Sequence, residues 1–218
     1  MVALDNNTLF GSGRSFKLTL GPLVGGIAIM AVLMVLRAIL ARDFAEHGFR
    51  LGSQLAWRYA SFVFFAAVAA GPVCRIAARL FPSLTPPESL SRKLVWGFCA
   101  AYGVYLMSVF LPNVIQLSAG ATLMTLFGSL VVAVMAATAA PLEHLGAGPV
   151  LPDKLRRVLL GTAAIYFWLC YCLMALARIS GPHRPDAFYG ISLSLMIVAL
   201  LLRYADRWLA HRQAPSPV

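Results

Sequence analysis

Aromatic side chains with a polar end are the residues of this chain whose types and spacing could do chemistry. Tyr102 and Tyr105 stand one helical turn apart and so share a face. Tyr166-Phe-Trp168 and Tyr171 make a second group further along. A hydroxyl or indole N–H in an apolar interior needs a partner, so such residues either bond between helices or line a pocket for a flat cofactor. Tyr102, Tyr105, Tyr166 and Trp168 are the candidate cofactor-facing residues. Ordinary packing with no bound cofactor is the reading adopted, and a pocket for haem, quinone or carotenoid is the alternative.

Other reactive residues form no constellation. His47, His144, His183 and His211 fall in expected loops or the tail, none at helical spacing from a second ligand. Cys74, Cys99, Cys170 and Cys172 make neither a C-x-x-C pair nor a zinc spacing, and the last two point to roughly opposite sides of a helix. They read as small apolar packers. Neither a catalytic residue nor a metal site is expected. An ionisable residue inside a membrane span is a functional hypothesis by default because it is costly there. No apolar stretch of this chain carries one over its central turns. Ion-coupled transport needs a buried carboxylate or histidine, so a small transporter is the weakest reading.

The elements that must hold the aromatic groups are membrane spans. Of 218 residues, 60% are apolar and 12% charged, with a mean hydropathy of +0.79. Soluble domains are about half apolar and a quarter charged, so this chain could not cover itself with polar surface in water. Charges punctuate the sequence. Nineteen uncharged residues separate Lys17 from Arg37, enough to cross a hydrocarbon core of about 30 Å. A stretch of 49 uncharged residues, 94–142, is about twice one span and predicts a hairpin turning at Pro112-Asn113 and Ser118-Ala-Gly120. The expected fold is an all-α integral membrane bundle of six transmembrane helices at about 18–40, 54–80, 94–111, 121–140, 156–178 and 187–208. A cytoplasmic segment 1–17 precedes this 18–209 domain, and a disordered tail 210–218 follows it. Thr85-Pro-Pro-Glu88 reads as a capping box and Asp153 as the N-cap of the fifth helix. Ser180 to Pro185 reads as a loop.

Charge sets the orientation. Twelve Lys and Arg fall on the side of both termini and six on the other, which predicts an N-in/C-in protein of the bacterial inner membrane. The net charge of +10 sits at the ends of apolar stretches, not along a soluble face, so the expected counterpart is the lipid bilayer and no nucleic acid. Arg75, Arg79, Arg92, Lys93, Arg156 and Arg157, with Trp57, Trp96 and Trp208, are the expected interface anchors. Runs of small residues, such as 66–71 and 136–140, allow close helix approach within the fold or to other membrane subunits.

The order of these landmarks resembles the ferric-reductase-like transmembrane family, in particular the bacterial haem-binding subunits of methionine-sulfoxide reductase systems. The residues that carry the likeness are Gln54-Leu-Ala-Trp-Arg58 through Ala70-Gly-Pro-Val-Cys-Arg75, Ser91-Arg-Lys-Leu-Val-Trp-Gly-Phe98, Ala136-Ala-Thr-Ala-Ala-Pro141 and Asp153-Lys-Leu-Arg-Arg157. The resemblance implies b-type haem held by histidines on the third and fifth helices. Here the third-helix position falls near Tyr105 and the fifth-helix positions near Arg156 and Leu169 or Cys170. Tyr105, Met107, Cys170 and Met174 are the substitutes at hand, since tyrosine, cysteine or methionine can ligate haem iron. The expectation is a family member without its bis-histidine site: a non-catalytic membrane subunit or assembly protein. The alternative is a redox protein holding haem or quinone through the aromatic face.

Overall fold

The computed structural model describes residues 13–42, 46–81, 89–110, 119–139, 152–180 and 186–212. They form six helices and no strand: α1 Gly13–Leu40, α2 Glu46–Leu80, α3 Ser89–Phe110, α4 Ala119–Ala139, α5 Asp153–Ile179 and α6 Ala187–Arg212. Five are long and apolar enough to cross a bilayer over their described residues. In α4 that stretch, Thr122–Thr138, is apolar but shorter. The hairpin turn at Pro112-Asn113, the capping box at Thr85–Glu88 and the loop residues after Ser180 lie outside the described residues. Of the tail expected at 210–218, residues 210–212 are the last turn of α6 and the rest lie outside.

Several boundaries differ from the sequence reading: α1 and α3 each begin about five residues early, α6 runs on to Arg212, and α2 and α5 differ at their starts. Helix α2 starts at Glu46 rather than Gln54, because its first turns lie on α1. A Cβ on Gly48 would stand 3.1 Å from the Ile39 Cα, and one on Gly52 would stand 3.3 Å from the Val35 carbonyl oxygen. The Glu46–Arg50 pair at 2.6 Å adds an exposed i,i+4 contact. Helix α5 takes its N-cap at Pro152, one residue before Asp153. The Pro152 backbone is extended (φ −55°, ψ 141°), and its carbonyl accepts the Arg156 N–H at 3.0 Å.

Helix α2 packs on α3, α3 on α4, α4 on α5, α5 on α6, and α6 back on α2, which closes a ring of five helices. Helix α1 lies outside the ring, on both α2 and α3. Ile27 of α1 sits so close to Gly97 of α3 that a Cβ there would collide with it. Between membrane helices the hydrophobic effect offers little, so close van der Waals approach over small residues does this work. The interior of the ring is filled by Phe64 and Phe65 of α2, Phe98 and Tyr102 of α3, Met135 of α4, Phe167 and Tyr171 of α5 and Met196 of α6.

Candidate functional site

Two regions of the ring gather side chains with chemistry. The first is the aromatic centre. Phe167 of α5 lies 5.0 Å from Phe98 and 5.3 Å from Tyr102, ring centre to ring centre, in edge-to-face arrangements. Tyr102 stacks obliquely on Tyr105 at 5.3 Å, and Tyr166 meets Phe127 of α4 edge-on at 5.1 Å. Such pairs favour these angles because the positive ring edge faces the negative ring face.

Three of the four sequence-named residues come together here. Tyr105 lies beside Thr125 of α4, and Tyr166 beside Cys170 one turn on. Tyr102 and Tyr166 both direct their hydroxyls at Gly128 of α4, where a Cβ would collide with the Tyr102 oxygen and stand 3.9 Å from that of Tyr166. Trp168 is half-buried and packs against the edge of the core. Adjacent residues on a helix diverge by about 100°, so Phe167 is buried while Trp168 reaches only the edge of the core. Tyr171 is the most enclosed of the group at 2% exposure, and its hydroxyl has no hydrogen-bond partner among the described residues. Among those residues no three His, Cys, Asp or Glu side chains gather as a metal site would require.

The second region is a basic mouth where the ends of α2 and α6 meet the starts of α3 and α5. Asp206 of α6, 8% exposed, accepts from Arg75 Nε at 2.8 Å on Oδ2 and from Arg79 Nη1 at 3.0 Å on Oδ1. Arg79 Nη1 also donates to the Asp206 carbonyl at 3.0 Å. Arg75 and Arg79 are four residues apart, so one face of α2 presents both guanidiniums to one carboxylate. Beside this clamp is a cavity of about 320 Å³ lined by Gly71, Pro72, Arg75, Ser91, Arg203, Asp206 and Arg207. A Cβ on Gly71 would stand 3.4 Å from the Arg75 guanidinium, and Pro72 has no N–H for the Val68 carbonyl. A second cavity of about 290 Å³ shares Ala67, Val68, Ser91 and Arg203 with the first. Its own walls are largely apolar: Phe64, Val95, Phe98, Met135, Leu160, Gly161 and Ala164, with Arg157.

The expected anchors divide between these surroundings. Arg75 and Arg79 clamp Asp206, and Arg156 Nε donates to the Thr138 carbonyl at 2.5 Å, tying α5 to α4. Arg157 lines the apolar cavity, Arg92 and Trp208 are exposed, and Lys93 and Trp96 are half-buried. Trp57 turns into the bundle, 5.0 Å from Tyr171 and 6.2 Å from Phe188. At the far end of the α2–α6 seam Arg58 pairs with Asp186 at 2.6 Å, and its guanidinium lies 4.8 Å from the Phe188 ring centre. Asp186 also caps α6, accepting the Phe188 N–H at 3.1 Å. That bond, more than Arg58, holds its carboxyl below the usual carboxylate range.

Sequence reasoning missed Asp206 and Gly128. The signal for the first was a lone acid between Arg203 and Arg207 at an otherwise basic helix end. For Gly128 there was none, since its role depends on tyrosines of other helices. Family models, characterised proteins and solved structures yield no match to this chain.

Proposed function

We propose that this chain is a non-catalytic subunit or assembly protein of the bacterial inner membrane, with six spans and both termini in the cytoplasm. It is a ferric-reductase-like bundle whose haem site has given way to side-chain packing. The observation that carries this reading is Phe167, wedged within 5.0 Å of Phe98 and 5.3 Å of Tyr102 where a planar macrocycle between α3 and α5 would lie. The residues at the expected ligand positions fit haem poorly. Tyr105 lies against Thr125, and Cys170 against Tyr166.

The topology is supported by spacing. Arg58 and Arg75 mark the two ends of the α2–α6 seam and are separated by about 25 Å of helix, close to the thickness of a hydrocarbon core of about 30 Å. The 21 residues of α4 are about 30 Å long, so a sixth crossing is within its reach. The two-to-one excess of Lys and Arg on one side favours both termini inside.

The test is an optical spectrum of gently solubilised protein, oxidised and then dithionite-reduced, with an inventory of what co-purifies. A featureless spectrum and a stoichiometric membrane partner are expected. A Soret band that shifts on reduction would overturn the reading in favour of a redox protein. Cysteine labelling of residues at either end of the helices, from each side of the membrane, tests the topology.

A further inference from the structure

We propose that the two adjoining cavities at the basic mouth form one binding site for an anionic phospholipid, with its phosphate on Arg203 and Arg207 and an acyl chain in the apolar lobe. The first lobe presents three guanidiniums, from Arg75, Arg203 and Arg207, against the single carboxylate of Asp206. Both oxygens of that carboxylate are already engaged by Arg75 and Arg79. Arg203 has no carboxylate partner among the described residues and lies within electrostatic reach of two like charges, Arg75 and Arg207. Like charges held together around a cavity favour an anion there, and guanidiniums match the oxygens of a phosphate. The Ser91 hydroxyl donates to the Ala67 carbonyl at 3.1 Å, so it keeps an oxygen lone pair for a further donor and leaves the anion to the arginines.

The neighbouring lobe decides the kind of anion. Each lobe, at about 290–320 Å³, lies at the lower end of the range for small-molecule pockets. A free phosphate would use the arginines and leave the apolar lobe unfilled. An amphiphile uses both, because Val68, Ser91 and Arg203 belong to the shared wall. Basic pockets between membrane helices are suited to anionic headgroups, whose density at the membrane surface also raises their local concentration. A Cβ on Gly161 would meet nothing within 4 Å, so this glycine keeps part of the apolar lobe open.

The site rests on the chain being embedded in a membrane and not on its being a subunit. A chromophore would sink the second idea and leave the lipid site as it stands. The test is native mass spectrometry of the full-length protein in detergent, titrated with phosphatidylglycerol, with phosphatidylcholine, and with inorganic phosphate. Phosphatidylglycerol should be retained in preference to phosphatidylcholine, and Arg203→Gln should weaken its retention about tenfold, the loss of one charged hydrogen bond. Gly161→Leu, which fills the apolar lobe without touching a charge, should weaken it too. Arg178→Gln, an exposed arginine at the other end of α5, should not. Equal retention of the two lipids, or wild-type retention in both variants, would overturn the proposal. So would inorganic phosphate displacing phosphatidylglycerol and protecting the protein from heat as well as the lipid does, which marks a free-anion site. Should Arg203→Gln fail to fold, Gly161→Leu decides.

Discussion

Asp206 lies beneath Arg75 with its Oδ2 oxygen 2.8 Å from both Nε and Nη2 of the guanidinium, so two helices that are remote in sequence share one ion pair. Arg79 takes the other carboxylate oxygen at 3.0 Å. The three side chains close the ring between α2 and α6 at the end where the chain is most basic.

Removing the carboxylate leaves two guanidiniums facing each other. Breaking a fully buried pair costs roughly 3–5 kcal/mol, but water reaches Arg75, so Asp206→Asn should cost about 2 kcal/mol. Thermal unfolding in detergent, followed by circular dichroism, measures it. Arg75→Gln should cost less than Asp206→Asn, because Arg79 keeps its bond. An Asp206→Asn protein melting with the parent would show that the clamp does not hold the ring.

Gly128 and Tyr102 form a second coupled pair. Gly128→Ala drives a methyl group into the Tyr102 hydroxyl, an overpacking cost of about 1–3 kcal/mol. Tyr102→Phe removes the oxygen it strikes, so the double variant should recover most of the loss. A double-mutant cycle reads this directly. Purely additive losses would mean that the two residues do not meet.

The Tyr171 hydroxyl is enclosed without a partner, an arrangement that costs about 1–3 kcal/mol. Tyr171→Phe keeps the ring packed on Trp57, Phe64 and Phe65 and should be neutral or stabilising by about 1 kcal/mol. Phe64→Ala, which empties the centre, should cost about 3–5 kcal/mol. A marked loss in Tyr171→Phe would reveal a buried water or ligand on the hydroxyl.

Asp186 gives a dependence on pH. Its carboxyl is held below its ordinary value first by the Phe188 N–H and then by Arg58. A depressed carboxylate contributes stability that is fully present above the unfolded-state value of about 4 and is lost as pH falls through the folded-state value. Wild-type melting temperature should therefore drop more steeply below about pH 4 than that of Asp186→Asn. Parallel curves would remove Asp186 from the acid response.

Much of this architecture was legible one helix at a time. Each described helix overlaps an expected one, and five of the six are long and apolar enough to cross a bilayer, because an uncharged stretch of about twenty residues suits a crossing whatever its neighbours do. Tyr102 and Tyr105 share a face because helical spacing alone decides it, and they meet at 5.3 Å. The early start of α2 was not legible. It depends on Gly48 and Gly52 lying on α1, a contact between helices that apolar run length does not encode.

The sequence by itself determined that the chain is helical, with helices apolar and long enough to cross a membrane, and where its charges interrupt them, since composition and charge punctuation are properties of the chain alone. Only the tertiary structure decided that Phe167 rather than Trp168 is buried, that Gly128 makes room for two tyrosine hydroxyls, and that Asp206 belongs to Arg75 and Arg79. Each of these depends on the rotation of one helix against another. In a membrane that rotation is set by side-chain fit and paired charges, not by a water-facing side that periodicity could reveal.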